Sequence, residues 1–249
     1  SLELGGKDPF VVLPGSDMKL AARGAVFGAF ANSGQACVSS ERVYVPAQAK
    51  DEFVRNVLEE LKALELGNEA DSRFGPMISL QQLAIVTRHV GQARSAGARI
   101  VAGGTPQGQF FPPTVLTEVK DTMDIANEET FGPVLPVLTY ETLDELKPRV
   151  NNSIYGLNAA VFGPNASSAL AFAKGIESAH VMINDAILSV GIAEAPWGGM
   201  KKSGLGRLNG PDGLRSFCEP QVIVSSWPWD FLSRFFWYPY TSAKYRIIR

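Results

Sequence analysis

The sequence predicts an α/β fold with a mostly parallel sheet flanked by helices. Two observations carry that expectation. Short apolar runs bounded by turn residues read as buried strands, and stretches of helical length alternate with them. A third is size: 249 residues, 45% of them hydrophobic and 19% charged, can bury a sizeable core without disulfides or metals.

Phe10–Leu13 is a short apolar run closed by Pro14–Gly15, hence a buried strand and a turn. Ser16 or Asp17 then caps a helix to about Ala31, apolar nearly all round (Leu20, Val26, Phe27, Phe30) and therefore expected to be buried. Gly24 and Gly28 would let it pack closely. Arg42–Val45 is a second strand. From Asp51 to Leu64 the residues Phe53, Val54, Val57, Leu58, Leu61 and Leu64 share one face of an amphipathic helix. Ser79 opens another, with Gln82 completing a capping box, Leu83, Val86, Val90 and Ala93 as its stripe, and Gly97 as its stop. Ile100–Val101, Val134–Tyr140, Asn158–Phe162 and Val181–Ile183 read as further strands. Ala169, Phe172, Ala173 and Ile176 mark a helix between the last two.

The composition narrows the function. A net charge of -2 supplies no positive field for nucleic acid. No apolar run of membrane-spanning length and no signal peptide is visible in these residues. Two cysteines, Cys37 and Cys218, are too few for a disulfide framework, and with only His89 and His180 there is no cluster of metal-ligand spacing. No metal is expected, and a reducing, cytoplasmic setting is the default.

Asn32-Ser-Gly-Gln-Ala-Cys37 places a thiol just after a buried helix, in a turn containing glycine. A thiolate attacks carbonyl carbon well when its pKa is lowered or a base is near, and Gly34 would let the backbone aim an N–H at a developing oxyanion. Taken alone, a lone cysteine in such a domain is more often inert core. Glu3, flanked by Leu2 and Leu4 and followed by Gly5–Gly6, would serve as a general base if held partly desolvated; alone, it reads as a solvated acid.

Together these segments resemble a known family. Glu3-Leu-Gly-Gly-Lys7 and Gly34-Gln-Ala-Cys37 resemble the two active-site signatures of the aldehyde dehydrogenase superfamily. Glu128-Glu-Thr-Phe-Gly-Pro133 resembles its segment at the nicotinamide ribose, Asn184 in Met182-Ile-Asn-Asp185 its asparagine near the active site, and Pro196–Gly206 the loop that follows. The resemblance runs in order from Ser1 to about Val224. It implies that Cys37 attacks an aldehyde, with its own N–H holding the oxyanion. A thiohemiacetal then passes hydride to NAD or NADP, and Glu3 activates the water that hydrolyses the resulting thioester. It implies cofactor contacts through Glu129, whose carboxylate suits a ribose diol, and Phe131 against the nicotinamide. Gly5, Gly34 and Asn184 are expected to support the site.

Family members carry a cofactor-binding half ahead of the point matching Ser1, with a Gly-rich dinucleotide turn, a lysine and an oxyanion asparagine that have no counterpart here. The glycine pairs at 5–6, 103–104 and 198–199 make no such fingerprint. The chain is accordingly expected to be a catalytic part of a longer enzyme, weak in dehydrogenase activity by itself. Its organisation is read as a catalytic domain at 1–200, a loop, helix and oligomerisation strand at 201–226, and a tail at 227–249. Phe217–Ser225 resembles the strand that joins a neighbouring subunit, so a homo-oligomer is expected, with Cys218 structural. Nine of the 24 aromatic residues lie between Trp227 and Tyr245, mixed with Arg234, Lys244 and Arg246, without a clean period. Such a tail suits a membrane interface or packing against another domain or subunit, the latter being favoured. Two other functions compete: a cofactor-free thiol esterase using Cys37 and Glu3, and a catalytically silent assembly protein.

Overall fold

A computed structural model describes residues 1–64, 74–225, 234–235, 237–239 and 241–248. Residues 1–216 form one compact unit and 217–249 a second.

In the first unit, β1 (Leu2–Glu3) leads to β2 (Asp8–Val12), α1 (Met18–Phe30), β3 (Ser40–Pro46), α2 (Lys50–Leu61) and α3 (Leu80–Ser95). There follow β4 (Arg99–Ala102), β5 (Thr114–Thr117), α4 (Asp124–Asn127), β6 (Val134–Tyr140) and α5 (Leu143–Asn151). The unit continues through β7 (Tyr155–Gly156), β8 (Asn158–Phe162), α6 (Ala166–Ala173) and β9 (His180–Ile183). It ends with β10 (Met200–Lys201), β11 (Gly204–Leu205) and α7 (Gly210–Arg215). Seven strands form one sheet in the order β4-β5-β6-β3-β2-β8-β9, parallel throughout except for the antiparallel edge pair β4-β5.

Strand residues alternate between two apolar layers, as the period of two demands. Phe10, Val12, Val43, Val45, Leu135 and Val137 face α1 and α2. Val11, Tyr44, Val134, Leu138 and Val161 face α3, α5 and α6. Asp17 caps α1 through the N–H groups of Lys19 and Leu20. Gly24 lies against Phe162, where a β-carbon would come within 2.4 Å of the ring.

Two expectations about the helices change. The α1 helix is not buried all round: Leu20 and Phe27, seven residues apart, share an exposed face. Only half of the capping box at α3 forms. Ser79 accepts from the Gln82 N–H, but the Gln82 side chain donates instead to the carbonyls of Thr130 and Phe131. Among the elements without a sequence reading are β5 and α5. Pro112–Pro113 precede β5, and α5 tolerates Pro148 in its interior, with Thr142 capping its start.

In the second unit, Phe217–Ser225 forms no strand, and Val222, Ile223 and Val224 are exposed. The tail contains α8 (Ser242–Ile248), with Thr241 Oγ1 accepting the Lys244 N–H. Arg234 lies 5.7 Å over the Trp237 ring, and Lys244 lies 5.7 Å over Phe235. Trp227, Trp229, Phe231, Phe236 and Tyr240 lie outside the described residues. Among the described residues no helix is long and apolar enough to cross a membrane.

Candidate active site

Because the core strands are parallel, the segments entering β2, β3 and β6 converge on the same, N-terminal edge of the sheet. These segments carry Glu3, Cys37, and Glu129 with Phe131, respectively.

The loop leading to Cys37 is strained. Asn32, Ser33 and Gly34 are left-handed in succession, at φ of 53°, 58° and 67°. For the two non-glycine residues that conformation costs energy and persists only when neighbours enforce it. Here Ser33 Oγ donates to the Gly75 carbonyl at 2.8 Å, and Gln35 Oε1 accepts the Ile78 N–H at 2.8 Å. Asn32 Nδ2 donates to the Gln35 carbonyl at 3.0 Å. Cys37 emerges half-buried, a free thiol. Burial pushes its pKa up first, followed by the carboxylates of Asp8, Glu129 and Glu3, while its own backbone N–H pulls it down. At rest this thiol is therefore protonated rather than pre-ionised.

Three glycines bring the segments into contact. A β-carbon on Gly5 would lie 2.2 Å from Glu129 Oε2, one on Gly6 2.5 Å from the Cys37 carbonyl oxygen, and one on Gly34 2.3 Å from the Gly132 carbonyl oxygen. The Glu3 segment, the Cys37 loop and the 128–133 loop thus each touch the other two, at points where a side chain would hold them apart.

Glu3 is exposed, with Leu2 and Leu4 half-exposed beside it, so the apolar flanks do not desolvate its carboxylate. Its backbone is fixed by pairing of β1 with β11 and by a Leu4 N–H to Ser203 carbonyl bond of 3.0 Å. Ser203 is buried and also accepts the Gly156 N–H through Oγ at 3.0 Å. The loop at 196–206 therefore positions the glutamate segment.

Glu129 Oε1 accepts the Gly6 N–H at 2.8 Å. Burial raises its pKa, with Glu41 adding to the effect and Gly6 opposing it. Phe131 is held at φ 49° and borders a cavity of about 500 Å³ with Asn32, Gln35, Pro76 and Gln109. A carboxylate for a diol, an aromatic face and an adjoining cavity fit the nicotinamide riboside end of a dinucleotide. No Gly-rich strand-to-helix turn that would cradle a pyrophosphate occurs among the described residues.

Asn184 stands apart. It follows β9 at the opposite, C-terminal edge of the sheet, where its Oδ1 accepts the Gly163 N–H at 3.0 Å. The chain after it returns across the fold, so that Ile187 and Trp197 join Val38, Leu157 and Cys37 in one apolar cluster.

Sequence reasoning passed over a buried polar group behind the site. Lys7 Nζ lies 2.5 Å from Glu41 Oε2, with both side chains nearly excluded from solvent. Glu41 also accepts the N–H groups of Thr130 and Phe131, each at 2.8 Å. Thr130 Oγ1 takes a hydrogen bond from Lys7 at 3.2 Å and meets His89 Nδ1 at 3.2 Å. Burial lowers the pKa of Lys7 and of His89. The signal was available: Glu41–Arg42 puts two charges at the entrance of an otherwise apolar strand, which buries charge only when it is paired.

The fold and site define a class: an α/β protein that gathers a half-buried cysteine and two glutamate-bearing segments at the N-terminal edge of a parallel sheet. The chain belongs to the aldehyde dehydrogenase family, whose model matches residues 1–223. It is 37% identical over 228 residues to lactaldehyde dehydrogenase of Escherichia coli, covering 89% of this chain and 47% of that protein. The structure resembles betaine aldehyde dehydrogenase of Staphylococcus aureus in complex with NAD+, with a TM-score of 0.82, 38% identity and coverage of 87% of this chain and 44% of that one. An NADP-dependent enzyme of Escherichia coli matches with a TM-score of 0.84 at 33% identity, over 88% of this chain and 46% of that one. The chain thus spans about half the length of the relatives it matches.

Proposed function

We propose that this chain provides the catalytic part of an NAD(P)-dependent aldehyde dehydrogenase. The observation that carries the reading is the three-way contact of the Cys37 loop, the Glu3 segment and the 128–133 loop through Gly5, Gly6 and Gly34. The Cys37 sulfur adds to the aldehyde carbon after its proton leaves, and the Cys37 N–H faces the oxyanion of the thiohemiacetal. NAD+ or NADP+, when bound, supplies the acceptor for the hydride lost from that carbon. Cys37 then carries the acyl group as a thioester. Glu3, exposed and able to exchange protons with water, takes a proton from the water that attacks it. The C–S bond breaks, the carboxylic acid leaves and the thiol is restored. Glu129 receives the ribose hydroxyls once its carboxylate releases Gly6, and Phe131 flanks the nicotinamide. Gly5 and Gly34 keep the three segments in reach. Asn184 supports the site indirectly, by fixing the start of the segment that carries Ile187 and Trp197 back toward Cys37.

The intact protein is expected to work as a homo-oligomer on small aldehydes. Cys37→Ser should abolish NAD(P)-linked aldehyde oxidation while leaving the circular dichroism spectrum unchanged. Glu3→Gln should let acyl-enzyme accumulate, detected by mass spectrometry of the quenched protein. Retained turnover in the serine variant would overturn the assignment.

A further inference from the structure

The geometry points to Glu41 as a positioning residue that sets the 128–133 loop for coenzyme, by holding Phe131 in its left-handed conformation from behind. The inference rests on the dehydrogenase reading for its consequence, but not for its geometry.

A left-handed conformation is an outlier for a bulky aromatic residue and needs partners to enforce it. Phe131 has φ 49°, and both of its backbone polar groups are engaged by side chains. Glu41 Oε1 accepts its N–H at 2.8 Å, and Gln82 Nε2 donates to its carbonyl at 3.2 Å. The preceding residue is gripped likewise: Glu41 Oε2 accepts the Thr130 N–H at 2.8 Å, and Gln82 Nε2 donates to the Thr130 carbonyl at 2.8 Å. One carboxylate and one carboxamide thus clamp two successive peptide units. The residue just before them is Glu129.

Charge is what suits Glu41 to this task. A carboxylate accepts at both oxygens, so it takes two parallel N–H groups and still meets the Lys7 ammonium; an amide has only one acceptor oxygen. Lys7 ties the clamp to the Gly5–Gly6 turn, and Glu41 itself lies four residues beyond Cys37. The same carboxylate therefore links all three segments of the site without touching the reacting atoms. Loss of it should free Phe131 and Glu129 while leaving the Cys37 loop to its own restraints from Gly75 and Ile78.

The test is Glu41→Gln, read in three ways on the intact protein. Hydrogen–deuterium exchange at the Thr130 and Phe131 amides should accelerate about tenfold or more. The dissociation constants for NAD+ and NADP+ should rise about tenfold, appearing as a higher coenzyme KM with a smaller change in kcat. Alkylation of Cys37 by iodoacetamide should stay within about twofold of the parent, which general loosening of the fold would not allow. Unchanged exchange overturns the clamp. Faster exchange with unaltered coenzyme affinity overturns its role in positioning. If the parent protein binds neither coenzyme, the dehydrogenase reading fails separately, and exchange alone decides for or against the clamp. Should the single variant not fold because Lys7 is left unpaired, Lys7→Met with Glu41→Gln removes the stranded charge, and the same three readouts and outcomes apply.

Discussion

Gly34 lies directly against the carbonyl of Gly132: a β-carbon at residue 34 would sit 2.3 Å from that oxygen, and residue 34 has a φ of +67°. Two independent constraints, a left-handed backbone and a close approach to another main chain, therefore meet at one position three residues before the thiol. Gly34→Ala should destabilise the protein by about 1–3 kcal/mol in urea denaturation, since neither the backbone carbonyl nor the φ angle has a cheap escape. It should also separate the nucleophile loop from the 128–133 loop and lower turnover more than it lowers coenzyme affinity. Wild-type stability and rate in this variant would show that the loops have slack between them.

Cys37, the proposed nucleophile, lies in surroundings that oppose its ionisation. Burial, then Asp8, Glu129 and Glu3, hold its pKa above the ordinary value of 9.0. Below the pKa the thiolate fraction grows about tenfold per pH unit, so alkylation by iodoacetamide should be slow at pH 7 and still climbing at pH 9. A plateau below pH 8 would mean that a cation near Cys37 outweighs the burial.

The N-terminal edge of the sheet was legible because the chemistry lies in contiguous motifs, and each motif feeds a strand with its own apolar signal. The segments that carry Glu3, Cys37 and Glu129 could be placed before their strands in that way. Relations between distant segments could not. That Ser203 fastens the Glu3 segment depends on β1 meeting β11, a pair of two-residue strands with no periodicity to detect. Gln82 had a good local partner in the Ser79 backbone, and tertiary context redirected its side chain to Thr130 and Phe131. The α5 helix was hidden by Pro148, normally a breaker, which is carried here by the burial of Leu146 and Val150. Exposure of Glu3 ran against the expectation from its leucine neighbours, because among the described residues β1 pairs only with another short strand and no layer covers it.

Helix α1 owes its closeness to the sheet to Gly24. Intrinsic propensity favours alanine over glycine inside a helix by about 1 kcal/mol. At Gly24 a β-carbon would come within 2.4 Å of the Phe162 ring, itself stacked on Phe10 at 4.7 Å. Gly24→Ala should therefore destabilise, by about 1–2 kcal/mol net, the steric term overtaking propensity. Gly91 in α3 is the control, since a β-carbon there meets nothing within 4 Å among the described residues. Gly91→Ala should stabilise by about 0.5–1 kcal/mol. Equal shifts for the two variants in urea denaturation would remove the packing argument.

Asp8 makes the pH dependence of stability a test of burial. The residue is 2% exposed; Oδ1 accepts the Asn158 N–H at 3.2 Å, and among the described residues no hydrogen-bond partner meets Oδ2. Burial raises its pKa well above 3.8. The folded chain thus keeps a proton that the unfolded chain releases above pH 3.8. Where folding binds the extra proton, stability falls as pH rises, by about 1.4 kcal/mol per unit, until the folded-state pKa is passed. The contribution is fully present below the unfolded value and lost on the alkaline side. Asp8→Asn carries no charge at any pH and keeps an oxygen for the Asn158 N–H. Subtracting its urea-derived stability from that of the parent across the pH range should isolate this slope, with the parent losing ground to the variant as pH increases. A difference that is flat with pH would mean that Asp8 is ionised in the folded protein at no cost, contrary to its burial.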